Sequence, residues 1–370
     1  ANSFIQKAPG DQYVLYSRES GAVEKMDFVC ATKDKVLSQI PDLTAKPVDG
    51  QVLRKYRLAV SATAEYTIEH GGSISDALAA INATVTRINE VFETDLAVTL
   101  ELVSDTDKVI YTDESTDPYG GLSTLGSVGQ QAFTDEIGEE NYDIGHVFHK
   151  GPNGGNAGFI GAICIDNRKG SAYSSSQIPE GDTFDLDFVA HEMGHQMGAN
   201  HTWSYELEGT LVQVEPGSGS TIMGYAGITE NDNVTPNGDD YFHYVSIEQI
   251  IETLRLKNCG EIIPITNNPP VVSAVDDYVI PKSTAFILTG SATDPDIDDV
   301  LTYAWEQVDN GVVTRASFGP NNPSGANFRS RPPITDPTRY FPMLSRVIQA
   351  NITQENPDQG SAWETVSDVE

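Results

Sequence analysis

Cysteine is scarce in this chain: three in 370 residues, at Cys30, Cys164 and Cys259. That is few for a secreted protein, and an odd number leaves one over. Basic residues are also thin, 22 Lys and Arg against 54 Asp and Glu, a formal charge of −32. Such a balance argues against nucleic acid and anionic membrane as partners. The acidic charge is dispersed instead of gathered in a tail, and it reads as the soluble surface of a secreted protein. No run of eighteen apolar residues occurs, so no helical membrane span is expected. The start, Ala1-Asn2-Ser3-Phe4, lacks a basic stretch followed by an apolar one, so any signal peptide is expected to be already removed. A length of 370 residues predicts two or three domains.

Histidine is rare too, yet three of the seven fall within eleven residues, His191-Glu192-Met193-Gly194-His195-Gln196-Met197-Gly198-Ala199-Asn200-His201. On a helix, positions i and i+4 share a face, so His191 and His195 can grip one ion. Glu192 stands beside the first of them and can reach a metal-bound water without ligating. Gly198 can end the helix, because glycine adopts positive φ without steric cost. The chain then turns back and offers His201. Three protein nitrogens and one open position describe a catalytic zinc site, whereas structural zinc sites are closed by four ligands. The alternative is a surface helix with incidental histidines, which leaves their clustering unexplained.

Downstream, Gly219-Ser220-Thr221-Ile222-Met223-Gly224-Tyr225 is a tight turn carrying one methionine. The long histidine motif followed by a methionine turn resembles the metzincin metallopeptidases. The resemblance implies a zinc endopeptidase in which Met223 forms a hydrophobic floor beneath the imidazoles. It also implies that Tyr225 touches the zinc or the transition-state oxyanion; a packed core tyrosine is the equal alternative.

Along the chain, residues 1–52 read as a leader resembling a propeptide, with a strand-like stretch at 13–16 and a linker marked by Pro41, Pro47 and Gly50. Residues 55–62 predict a first strand, and 73–93 predict a helix capped by Ser73 or Ser75. Further strands are expected at 96–103, 108–111, 142–149 and 158–165. The zinc helix follows, with Asp182, Asp185 and Asp187 near its start, and a second long helix covers 244–256. The expected fold class is α+β, a twisted mixed sheet with two long helices, over residues 53–265.

The Gly-rich passage at 151–165, ending in Cys164, resembles the edge strand and cysteine of the reprolysin/adamalysin branch. That branch implies a Cys164–Cys259 disulfide and an edge strand near 155–161 on which an extended substrate peptide docks. Three reduced thiols are the competing reading. Metzincins are often held latent by a thiolate at the open zinc position, which makes Cys30 the candidate latency ligand; a plain buried cysteine is its alternative. Thr202 stands where reprolysins usually have Asp, and cysteines are few, so a bacterial secreted subgroup is expected. The remaining histidines, His70, His146, His149 and His243, read as core or surface residues.

After a linker at Asn267-Asn268-Pro269-Pro270, residues 270–370 resemble an all-β immunoglobulin-like module, expected to be incomplete at its C-terminal end, with Trp305 on a central strand. Asp294, Asp296 and Asp298 are candidate calcium ligands; the polar turns at 231–233 and 237–240 are weaker ones. The reading is a monomeric, extracellular zinc endopeptidase of protein or peptide substrates, with calcium as a second candidate cofactor. A latent zymogen and a non-catalytic adhesion protein are its rivals.

Overall fold

Residues 3–8, 12–17, 28–36 and 50–369 are described by a computed structural model. Ala1, Asn2, Pro41 and Pro47 lie outside them. In chain order the strands and helices begin with β1 (Ser3–Ala8), β2 (Gln12–Ser17), β3 (Val52–Ala62), α1 (Ala64–Glu69), α2 (Ile74–Leu96) and β4 (Val98–Leu102). There follow α3 (Leu122–Ala132), β5 (Ile144–Lys150), β6 (Gly154–Asn156), β7 (Ala172–Ser176), α4 (His191–Met197), α5 (Tyr244–Arg255) and β8 (Glu261–Pro264). The last are β9 (Val271–Val272), β10 (Phe286–Thr289), β11 (Ala292–Thr293), β12 (Thr338–Phe341) and α6 (Leu344–Ile348). Contacts divide the chain into two units, residues 1–33, 53–199 and 250–263, and residues 34–52, 200–249 and 264–370.

The first unit is built on a six-stranded mixed sheet in the order β4-β3-β5-β7-β6, with β8 also paired to β3. Pairings β3–β4, β3–β5 and β5–β7 are parallel, and β6 runs antiparallel to β7 at the edge. The second half of β3 is buried on both faces, as its run of small and apolar residues predicts. Helix α2 buries Ala77, Ile81, Val85, Ile88 and Phe92, a stripe at three- and four-residue spacing. Each such fully buried aliphatic or aromatic side chain contributes about 1.5–3 kcal/mol. Ser73 caps the helix, its Oγ accepting the Asp76 N–H at 3.2 Å. Cys164 and Cys259 form the disulfide, with Cα atoms 5.8 Å apart.

Several expected elements differ. Residues 104–109 wind as a tight 3₁₀ turn, and only Ile110 bridges Ala62, so 108–111 is no strand. The stretch 158–165 is a succession of turns: Gly158, Gly161 and Cys164 all have positive φ, which a strand does not tolerate. The edge strand is instead the three residues of β6. Serine-rich β7 was not anticipated, because its five residues are buried with their hydroxyls satisfied inside the sheet; Ser175 Oγ donates to the Pro152 carbonyl at 2.7 Å.

Within the second unit, Val234, Val313, Phe318 and Trp363 form one buried cluster. Among the described residues of 270–370 the strands pair as β9–β11 and β10–β12. The immunoglobulin-like sandwich is not shown. Residues 278–280 are exposed and unpaired in any strand, and around Trp305 only Tyr303 makes a bridge, to Ile334. Trp305 is half-buried, its Nε1 donating to the Pro337 carbonyl at 2.9 Å, and the fully buried tryptophan here is Trp363. Short strands broken by Pro, Gly and Asn leave too few paired residues for two facing sheets.

Helix α2 holds the run leading into α4 through charge. Arg87 pairs with Asp182 at 3.0 Å, and the Thr84 hydroxyl donates to Asp185 at 2.7 Å. Burial pushes the Asp185 carboxyl up to about 7, against the pull of that hydrogen bond and with Asp182 adding repulsion. Because the folded chain holds this proton more tightly than the unfolded one, the associated stability is complete below about pH 4 and lost as pH rises through about 7. Asp185→Asn, which keeps an oxygen for Thr84, is expected to remove this loss. Thermal melts at about pH 5 and about pH 8 should show the variant gaining on wild type at the higher pH, on the order of a few kcal/mol; parallel shifts would refute it.

Candidate metal centre

A π-helical stretch, Thr183–Ala190, runs directly into α4. All seven residues of α4 are buried, so its polar side chains need partners. Gln196 ties the helix to the sheet: its amide donates to the Gly145 carbonyl at 3.0 Å, and its oxygen lies 2.9 Å from His146 Nδ1. Burial pushes His146 down to about 4, with Gln196 pulling it up, so it is a neutral sheet residue also bonded to Ser174. His149 is likewise occupied, 2.9 Å from the Thr63 hydroxyl.

The turn after α4 follows from Gly198. Its φ is +123°, its N–H donates to the Gly194 and His195 carbonyls, and a side chain there would strike Thr253. Ala199 N–H also returns to Gly194, at 3.0 Å. The His191 and His195 rings lie 4.8 Å apart, nearly perpendicular. His195 Nδ1 sits 2.8 Å from the Ala199 carbonyl, and His201 Nδ1 is 2.7 Å from Asp34 and 3.2 Å from Glu208. An oxygen therefore holds Nδ1 in both rings, the usual way a protein orients a ligating imidazole.

Cys30, His191 and His195 present ligand atoms all within 4.8 Å of one another. Cys30 Sγ is 3.8 Å from His195 Nε2. A tetrahedral zinc with nitrogens at about 2.0–2.1 Å and sulfur at about 2.3 Å separates such ligands by about 3.5 Å. Two imidazoles and a thiol are donors of the kind zinc prefers.

Cys30 arrives on an extended segment that pairs with edge strand β6. Ala31 N–H donates to the Gly155 carbonyl at 2.8 Å, and Gly155 N–H donates to the Val29 carbonyl at 3.0 Å. Phe28 and Thr32 are buried and Cys30 half-buried, while Val29, Ala31 and Lys33 are exposed, the alternation of a bound strand. The Phe28 ring stacks on Phe188 at 4.1 Å between centroids. The Thr32 hydroxyl donates to Glu192 at 2.8 Å and accepts the Ala157 N–H at 2.7 Å. A methyl group on Gly155 would collide with the Glu192 carboxylate, so that carboxylate faces the edge strand.

Met223 is fully buried, and its carbonyl accepts the Thr202 N–H at 3.2 Å. The Tyr225 ring stands edge-on to His201 with centroids 4.6 Å apart, and packs against Trp203 at 5.2 Å. Of the expected calcium ligands, Asp294 and Asp296 come together with Asp299, and Asp298 is not part of that group. Sequence reasoning missed Phe28, Thr32, Asp34, Glu208 and Glu215. None lies in a motif, although inward alternation at Phe28, Cys30 and Thr32 was legible as strand spacing.

Residues 52–254 match the model of a family described as metallo-peptidase family M12B, reprolysin-like. The chain belongs to this family. It is accordingly a zinc metallopeptidase, an endopeptidase acting on protein or peptide substrates. No curated protein matches the chain.

Gly155→Ala is expected to displace the Glu192 carboxylate. With the leader segment removed by limited proteolysis, turnover should fall at least about tenfold while zinc content is unchanged. Unaltered kcat would show that the carboxylate does not need its present position.

Proposed function

We propose that the chain is a secreted endopeptidase whose general base is Glu192 and whose metal ligands are His191, His195 and His201. The observation that carries this reading is the Glu192 carboxylate facing Gly155 of the edge strand, beside two buried imidazoles of its own helix. Bound zinc supplies Lewis acidity, lowering the pKa of a water to about 7 and polarising a carbonyl. A substrate peptide lies extended along β6, its main chain pairing with Gly155. Glu192 takes a proton from the attacking water and hands it to the leaving amine. Tyr225, beside His201, is proposed to donate a hydrogen bond to the oxyanion. Met223 packs beneath the site as an apolar floor.

The peptidase unit is assigned to residues 53–265, with 1–52 as leader and 270–370 as an appended segment. The disulfide and the acidic surface support secretion. Few cysteines and Thr202 favour a bacterial subgroup, acting as a monomer. Calcium at Asp294 and Asp296 would recruit Asp299 in place of Asp298.

A second reading concerns the state of the chain, and the leader's geometry favours it: the full chain is a latent zymogen. Cys30 would supply a thiolate to a bound zinc, Thr32 engages the Glu192 carboxylate, and the segment occupies the edge where substrate would pair. Asp34 reaches His201 from the same segment.

Glu192→Ala should retain zinc and lose about 10²–10⁴-fold in kcat after leader removal. Near wild-type peptide hydrolysis would remove Glu192 from this role, and absence of hydrolysis by the wild-type chain after leader removal would favour the adhesion-protein alternative. Cys30→Ser in the full chain should raise peptidase activity before any proteolysis. Unchanged activity, equal to that of the uncut wild type, would dismiss the thiolate block.

A further inference from the structure

Glu215 lies in no motif, yet its side chain is only about 1% exposed and all of its acceptor capacity is used. One carboxylate oxygen, Oε1, accepts the backbone N–H groups of Ser220 at 2.9 Å and Thr221 at 3.2 Å. The other, Oε2, accepts the hydroxyls of Thr202 at 2.6 Å and Thr221 at 2.5 Å. A carboxylate offers about four acceptor sites, and four donors meet it here. Three of those donors, from Ser220 and Thr221, belong to the turn that carries Met223. The fourth, the Thr202 hydroxyl, belongs to the residue directly after His201. The backbone repeats the link, with Glu215 N–H donating to the Thr202 carbonyl at 2.9 Å and Thr202 N–H to the Met223 carbonyl at 3.2 Å.

A buried carboxylate shared by two chain segments has two physical consequences. Removing it strands two backbone donors and two hydroxyls without water, so the arrangement is strongly preferred to any relaxed one. It also fixes the separation between the His201 backbone and the methionine turn. Of the three imidazoles, His191 and His195 are positioned by one helix, whereas His201 follows a bend and needs an independent anchor. We infer that Glu215 is the positioning residue for His201: a clamp that sets the third imidazole by holding Thr202 to the methionine turn. This rests on His201 being a metal ligand. Glu215 takes no part in the reaction itself; it acts through Thr202 and the backbone.

The clean cut is Thr202→Val, nearly isosteric, which removes only the hydroxyl that joins the two segments. Glu215→Ala removes the whole clamp. Glu215→Gln is the conservative control: its amide oxygen can still accept the two backbone donors, while its NH₂ group donates to hydroxyls that rotate to accept. The full chain is loaded with zinc for chelator competition and with cobalt(II) for visible absorption, which reports ligand geometry without reference to activity. The expected order of metal affinity is wild type, then Glu215→Gln, then Thr202→Val, then Glu215→Ala. Thr202→Val should lose about 10- to 100-fold and show a displaced cobalt spectrum. If Thr202→Val and Glu215→Gln bind zinc as wild type does, with the same cobalt spectrum, the clamp is refuted. It is refuted equally if their melting temperatures fall but the spectrum does not move, since Glu215 is then structural only. Glu215→Ala that fails to fold leaves the decision to the other two variants. A wild-type chain that takes up no metal refutes the ligand assignment instead, and His201→Ala losing affinity while Thr202→Val does not separates the two claims.

Discussion

The structure depends on burying imidazoles, which is costly unless each ring nitrogen has a use. An unpartnered polar group in the interior costs on the order of a few kcal/mol. His195 and His201 each commit Nδ1 to an oxygen, the Ala199 carbonyl in one case and the Asp34 and Glu208 carboxylates in the other. That commitment fixes the orientation of each ring. The reversal at Gly198 makes the first of these bonds geometrically available, because Ala199 must fold back within one helical turn.

The leader segment extends the same logic. It is a tethered strand, so its pairing with β6 is intramolecular and needs little intrinsic affinity to persist. Its inward side chains divide the work: Phe28 packs on Phe188, Cys30 reaches the imidazoles, and Thr32 engages the Glu192 carboxylate. Backbone pairing at Gly155 sets the register of all three. A strand of alternating contacts holds Cys30 more firmly than an isolated side chain would be held.

Much of the site was legible because its chemistry is local. His191, His195 and Gly198 are related by helical periodicity, and the methionine turn by its small residues. The first strand and α2 were visible as apolar period and cap, with Ser73 where the capping side chain lies. Elements set by non-local partners were not visible. Strand β7 is serine-rich and owes its place to β5 and β6 on either side. The glycine passage at 158–165 reads as an apolar strand, yet its positive φ angles bend it into turns. Trp305 suggested a sandwich, whereas its indole merely bonds the Pro337 carbonyl and Trp363 fills the buried cluster of that unit. Glu215 and Asp34 gave no signal, since their partners become neighbours only after folding.

The central claim is that three imidazoles and the Cys30 thiolate enclose one zinc in the full chain. X-ray absorption at the zinc edge of the purified, uncleaved protein tests it most directly. The account predicts one zinc per chain with nitrogen neighbours at about 2.0–2.1 Å and one sulfur at about 2.3 Å. Absence of stoichiometric zinc would contradict the metal centre, and a shell of nitrogen and oxygen without sulfur would contradict the block.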